Sequence, residues 1–138
     1  MIRVVLDTNI IVSALLQPLG PPAEVFLMVL ASKVQLCLSG SIFTEYEEVI
    51  RRPRFRRTEE TVVATLEAIR AKAYWVRPSE LVRACSDPDD DIFLECCQAS
   101  GAAYLITGNV RDFPLYWLST EVVTPRRFLE IVAAKLAV

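Results

Sequence analysis

Arg3-Val4-Val5-Leu6-Asp7-Thr8-Asn9 is the stretch from which the fold is read. Apolar, β-favouring residues run straight into an acid, two short polar residues follow, and a second apolar run, Ile10-Ile11-Val12, begins. A segment such as Ile2 to Leu6 reads as a buried strand of the parallel kind, covered on both faces. Asp7 then stands at its carboxyl end, and Thr8 or Asn9 is expected to cap the helix that follows. In open α/β sheets that end of the strands is where ligands bind. An acid there is either a site residue or a local turn-former.

Working outward, helical and strand patterns alternate. Asn9 to Leu16 reads as a helix stopped by Pro18-Leu19-Gly20-Pro21-Pro22, and Ala23 to Ser32 as a second. Val34 to Leu38 is a short buried strand, and Ser39-Gly40-Ser41 opens a helix carrying Glu45, Glu47 and Glu48 to Arg52. After a basic turn, Thr58 opens a helix to about Ala73, with Glu59 and Glu60 favourable in its first turn. Tyr74 to Val76 is a strand near an edge, and Pro78 to Ala84 a short helix or turn. Ser86 to Asp91 is an acidic helix start leading into Ile92 to Ser100, which Gly101 closes. Ala103 to Ile106 and Val122 to Thr124 are strands, and Pro125 begins a last helix to Leu136. This alternation means βαβ units and a parallel sheet, within one domain spanning residues 1–138.

Composition narrows the chemistry. The chain has no histidine, which excludes Ser-His-Asp and Cys-His catalysis and histidine-ligated zinc. Its four glycines form neither a phosphate-binding P-loop nor a dinucleotide fingerprint. The four cysteines make no CxxC pair and read as buried reduced thiols. No apolar run approaches the ~20 residues of a membrane span, and Met1 leads directly into the first strand without a signal-like segment. A soluble, cytoplasmic protein working with carboxylates, amides, hydroxyls and arginines is expected.

Parallel strands bring their carboxyl ends to one edge. Asp7, Glu45 and Asp91 all fall there, and the strand ending at Thr107-Gly108-Asn109 adds Asp112 just beyond. Carboxylates brought close raise one another's pKa unless a cation lies between them. Oxygen-only donors select Mg²⁺ or Mn²⁺. Singly, each acid also fits a structural role. Glu48 and Arg52 make an i,i+4 pair, and the run Asp87 to Asp91 supplies caps.

The segments VVLDTNIIVSALL, LSGSIFTEYEEV, DPDDDIFLECCQASGAAYLITGN and VRDFP together resemble the PIN domain family, most closely its toxin-type, VapC-like members. The resemblance runs from Val4 to about Phe128. It implies a three-layer α/β/α fold with about five parallel strands, and a Mg²⁺- or Mn²⁺-dependent endoribonuclease. It also implies an antitoxin partner and a homodimer. Asp7, Glu45 and Asp91 match the family's first three acids, with Asp90 or Asp89 as alternatives for the third. Asn109 falls where many members have a fourth acid, a departure that Asp112 is close enough to offset. Thr8, Asn9, Ser13 and Thr107 match polar positions that support such a site through hydrogen bonds.

The turn RRPRFRR holds five of the fifteen cationic residues, Arg51, Arg52, Arg54, Arg56 and Arg57. It is expected either to clamp RNA phosphates, with Phe55 stacking on a base, or to bind a partner, or to serve as a solvated loop. Two further readings stay open. One is a non-catalytic binding module of the same fold. The other is a phosphatase with Asp7 as nucleophile, which Asn9 disfavours by replacing the second acid of an Asp-x-Asp start.

Overall fold

Val4, Val5 and Leu6 are wholly buried although successive strand residues point to opposite faces. That requires a strand in the middle of a sheet covered on both sides. The computed structural model, which describes residues 1–136, places it there. In chain order the elements are β1 (Arg3–Leu6), α1 (Thr8–Leu16), α2 (Pro21–Leu30), β2 (Gln35–Leu38), α3 (Gly40–Ile50), α4 (Glu59–Lys72) and β3 (Tyr74–Trp75). There follow α5 (Asp91–Ser100), β4 (Tyr104–Ile106), β5 (Tyr116–Trp117), β6 (Thr120–Val123) and α6 (Pro125–Leu136). Three single 3₁₀ turns lie at Pro53–Phe55, Pro88–Asp90 and Val110–Asp112.

The sheet order is β3-β2-β1-β4-β6-β5. The first five strands in that order pair in parallel, and β5 pairs antiparallel with β6 at the edge. The sheet is thus six-stranded rather than five-stranded, because the chain doubles back over Tyr116–Trp117 before entering β6. Two residues are too few to show a strand period in the sequence.

Chain connections step from β1 outward to β2 and β3, then return to β4 on the other side of β1. The direction of winding reverses between β1 and β4, which makes their carboxyl ends a crevice suited to ligands. Crossovers between parallel strands are right-handed almost without exception. The connections through α1 to α4 and the returning helix α5 therefore lie on opposite faces. Helix α5 packs on β1, β2 and β4, while α2 touches α1, α4 and α6. No single described helix is long and apolar enough to cross a membrane.

Several local expectations are met and two are revised. Ser39 caps α3 by accepting from the Ile42 N–H at 3.3 Å, and Thr58 caps α4 by accepting from the Thr61 N–H at 3.1 Å. Gly101 ends α5 with φ +68°, a left-handed conformation that favours glycine. Cys37, Cys96 and Cys97 are buried, Cys85 is half-buried, and all four are unpaired. The N-cap position of α1 is taken by Asp7 itself, not by Thr8 or Asn9, and its side chain makes no capping bond. The segment from Pro78 to Ala84 is neither helix nor turn. It has no regular structure and runs antiparallel along α5, and three side chains of that helix hold it. Gln98 Nε2 donates to Glu80 Oε2 at 2.7 Å, Glu95 Oε2 accepts from the Val82 N–H at 3.1 Å, and Asp91 accepts from the Ala84 and Cys85 N–H groups.

Candidate functional site

Asp7 leaves β1 with its own N–H donating to the Ile106 carbonyl of β4 at 3.0 Å. Its Oδ2 accepts from the Thr107 hydroxyl at 2.7 Å and from Asn9 Nδ2 at 3.2 Å. Asn9 in turn accepts from the Gly108 N–H at 3.3 Å, and Thr107 Oγ1 accepts from the Asn109 N–H at 3.0 Å. Thr107 and Asn9 therefore tie the ends of β1 and β4 together around one carboxylate, which is 8% exposed. Burial raises the Asp7 pKa above the ordinary carboxylate value, the Thr107 hydroxyl offsets part of the rise, and the charge of Asp112 adds to it.

Glu45 comes from the middle of α3 and accepts from the Thr8 hydroxyl. Its pKa is raised by partial burial first, and further by Asp7, Asp89 and Glu48. The neighbouring Tyr46 is fully buried and donates its hydroxyl to the Leu6 carbonyl at the end of β1. That bond fixes α3 against the strand tip, so Glu45 meets Asp7 and Thr8. The sequence offered no separate sign of this role, since a tyrosine in an apolar helix face reads as ordinary core.

The acids at the start of α5 divide by one residue. Asp91 is 6% exposed, and its Oδ1 accepts from the Cys85 N–H at 2.8 Å and the Ala84 N–H at 3.1 Å. Burial pushes its pKa up, but the Cys85 and Ala84 N–H donors and the Cys85 thiol together outweigh that and leave it below the ordinary value. Asp90 is half-buried and has no such donors. Burial, then the charges of Asp7, Asp87, Asp112 and Glu45, push it up to about 6. Asp90 thus shares a field with Asp7, Glu45 and Asp112, whereas Asp91 is occupied in holding the segment before the helix.

On the β4 side, Asp112 and Asn109 are both exposed. The Asp112 charge reaches Asp7 and Asp90. Asn109 and Ser13 instead line an open groove of about 580 Å³ next to the acids. No arginine or lysine forms an ion pair with Asp7, Glu45, Asp90 or Asp112 among the described residues. No three His, Cys, Asp or Glu side chains there are clustered tightly enough to ligate one ion as they stand. The donor set still suits a hard divalent cation. It is all oxygen and carries excess negative charge, and burial followed by the neighbouring acids raises the proton affinity of Asp7, Glu45 and Asp90.

The basic turn is not part of this edge. It follows the far end of α3 and packs on the far end of α1, where Arg57 donates to the Leu15 carbonyl at 2.7 Å. Arg51 pairs with Glu47 and Glu59, and Arg52 with Glu48 at 3.2 Å. Arg54 lies over the Phe55 ring, so that ring is not open to a base on that face. Under the turn, Arg57 Nε is buried without a partner beside Val12, Leu15, Ile50 and Phe55. Three of the five arginines are committed within the protein, and a phosphate clamp of five is not what the turn presents.

Comparison with known proteins agrees with the fold. The family model described as PIN domain matches residues 3–111, and the chain belongs to that family. An uncharacterized protein of Methanocaldococcus jannaschii is 29% identical over 141 residues, covering 94% of this chain and 90% of that protein. Among solved structures, VapBC2 from Rickettsia felis bound to a promoter DNA fragment matches with a TM-score of 0.59 at 15% identity, over 89% of this chain and 98% of the other. FitAB bound to the IR36 DNA fragment matches with a TM-score of 0.50 at 13% identity, over 88% and 94%. At those identities the likeness to the two complexes is one of fold.

Proposed function

We propose that this PIN-domain chain is a Mg²⁺- or Mn²⁺-dependent endoribonuclease and the toxin of a toxin–antitoxin pair. The observation that carries the reading is the massing of Asp7, Glu45, Asp90 and Asp112 at the switch point of the sheet with no cation facing them. No core packing needs four carboxylates there, and their mutual repulsion costs stability. A bound divalent ion would offset that charge, polarise the scissile phosphate and make a water more acidic.

In this reading Asp7 and Glu45 hold the ion, as the motifs led one to expect, and Asp90 replaces Asp91 as the third acid. Thr107, Asn9 and Thr8 keep the first two carboxylates oriented, as hydrogen bonds to metal-binding carboxylates do elsewhere. Asp112, rather than Asn109, is the fourth acid. A carboxylate of this set left outside the ion's shell would take the proton from the attacking water.

The antitoxin belongs to the same reading, supported by the toxin-type resemblance and the complexes whose fold this chain shares. So does a homodimer, supported by exposed Leu115, Tyr116 and Leu118 around the edge strand β5. A reducing cytoplasm suits the four free thiols. The test is incubation of the purified chain with single-stranded RNA. Endonucleolytic cuts with Mn²⁺ or Mg²⁺, lost in EDTA and restored by added Mn²⁺, are expected. Intact RNA under both metals would refute the reading.

A further inference from the structure

The acids lie between two open grooves of similar size and opposite character. One, of about 700 Å³, is lined by Glu45, Glu48 and Asp89, and no cation is among its lining residues. The other, of about 580 Å³, is lined by Asn9, Ser13, Asn109, Thr124 and Arg126, and no carboxylate is among its lining residues. Both volumes fall within the ~300–1,000 Å³ typical of ligand sites. Glu45 borders the first and Asn9, which holds Asp7, borders the second, so both open onto the same acids.

A nucleic-acid strand brings a negative charge at every phosphate. In the first groove it would meet Glu45 and Asp89, neither of which has a cation partner among the described residues, and Glu48, which Arg52 partly offsets at 3.2 Å; at an exposed surface each unpaired charge adds to the repulsion. In the second it meets one guanidinium and a set of amides and hydroxyls. Arg126 forms no ion pair among the described residues, whereas its neighbour Arg127 is engaged with Glu130 at 3.4 Å. Thr124 Oγ1 accepts from the Arg127 N–H at 3.1 Å, so the start of α6 is capped and its partial positive charge faces the same side. The Asn109 amide and the Ser13 hydroxyl can serve base edges and the ribose 2′-hydroxyl, the groups by which single-stranded RNA is read, while Asn9 is held by Asp7 and Gly108.

We infer that single-stranded RNA approaches the acids along the groove of Asn9, Ser13, Asn109 and Thr124, with Arg126 holding a phosphate beside the scissile one. The opposite groove stays free of backbone, and the arginine-rich turn at residues 51–57 takes no part. This inference rests on the ribonuclease reading above.

Cleavage of a 12-nucleotide single-stranded RNA in Mn²⁺, read as KM and kcat separately over a series of KCl concentrations, tests it together with photocrosslinking of the same RNA carrying 4-thiouridine. Arg126→Ala should raise KM about fivefold to tenfold and flatten the salt dependence by ~0.7 in log–log slope, the loss of one phosphate contact on a single strand. Its kcat and Mn²⁺ affinity should stay within about twofold, because a contact to a phosphate that does not react adds equally to ground and transition states. Arg126→Lys should restore the slope, and the Arg54→Ala, Arg56→Ala double variant should match the unaltered chain. Crosslinks should map to the peptide containing Thr124 to Arg127 or to Asn9 to Ser13. An unchanged KM and slope in Arg126→Ala would overturn the inference and leave the groove to a protein partner. Crosslinks confined to residues 51–57 or 40–48 would overturn it as well. If the unaltered chain cuts no RNA and forms no crosslink, the ribonuclease reading itself fails, a result distinct from either.

Discussion

The acidic edge and the arginine-rich turn are the two most highly charged regions of the molecule, and they are built in opposite ways. At the turn three of the five charges have an answer close by. Arg51 has Glu47 and Glu59, Arg52 has Glu48, and Arg57 has the Leu15 carbonyl. At the edge, Asp7, Glu45, Asp90 and Asp112 lie within electrostatic reach of one another, and no arginine or lysine pairs with them among the described residues. A charge cluster that is already neutralised contributes to solubility and a little to stability. One left unneutralised is destabilising in the free protein and is retained where something else supplies the missing charge. Density of charge along the chain is therefore a poor guide to function, and lack of local compensation a better one.

That contrast would be broken most sharply by Asp7→Asn. Removing the central acid should lower cleavage by about a thousandfold or more, the several kcal/mol that a metal ion contributes to charge stabilisation. The metal-free variant should melt higher than the unaltered chain, because a repelling buried carboxylate has gone. Cleavage at the unaltered rate would remove Asp7 from the site.

The next test separates neighbours. Asp90→Asn should cut activity by about a hundredfold while leaving the metal-free melting temperature equal or higher. Asp91→Ala should do the reverse in kind, destabilising the fold by about 2–3 kcal/mol because two backbone N–H groups lose a charged acceptor. Urea melts and Mn²⁺ titration calorimetry read the two effects independently. A stable, inactive Asp91→Ala with normal Asp90→Asn would return the third acid to Asp91.

A smaller change is expected across β4's carboxyl end. Asp112→Asn should weaken Mn²⁺ binding about tenfold, whereas Asn109→Asp should alter it by no more than about twofold, since Asn109 lines the adjoining groove. A gain from Asn109→Asp with a silent Asp112→Asn would exchange the two residues.

The mildest test is pH. Asp7, Glu45 and Asp90 all have folded-state values above their ordinary ones, with Asp90 at about 6 against 3.8. An acid whose pKa is raised by folding binds its proton more tightly in the native state. It therefore destabilises the native state at neutral pH, and the penalty fades as pH falls through the folded value. The metal-free protein should accordingly melt higher near pH 5.5 than near pH 7.5. Saturating Mn²⁺ should remove that trend, since it favours the ionised forms. A metal-free melting temperature that rises with pH over this range would mean the acids are compensated in some other way.

Much of this was legible in the linear chain. Buried residues on both faces before Asp7 mark a central strand, alternating strand and helix patterns mark a parallel sheet, and a parallel sheet brings strand ends to one edge. The absence of histidine leaves oxygen donors, and the Asp7, Glu45 and Thr107 segments fall at that edge for reasons of register alone. What remained for the tertiary structure turns on single-residue phase. Asp90 and Asp91 are adjacent, yet about 100° of helical rotation separates their side chains. Which one faces the acids depends on the segment from Glu80 to Cys85, which has no periodic pattern of its own and is held by bonds to Asp91, Glu95 and Gln98 and by the buried Val82. The same holds for the arginines. Their number is written in the sequence, but whether each is free depends on acids brought beside it by packing, as Glu59 is for Arg51, or kept away, as at Arg126.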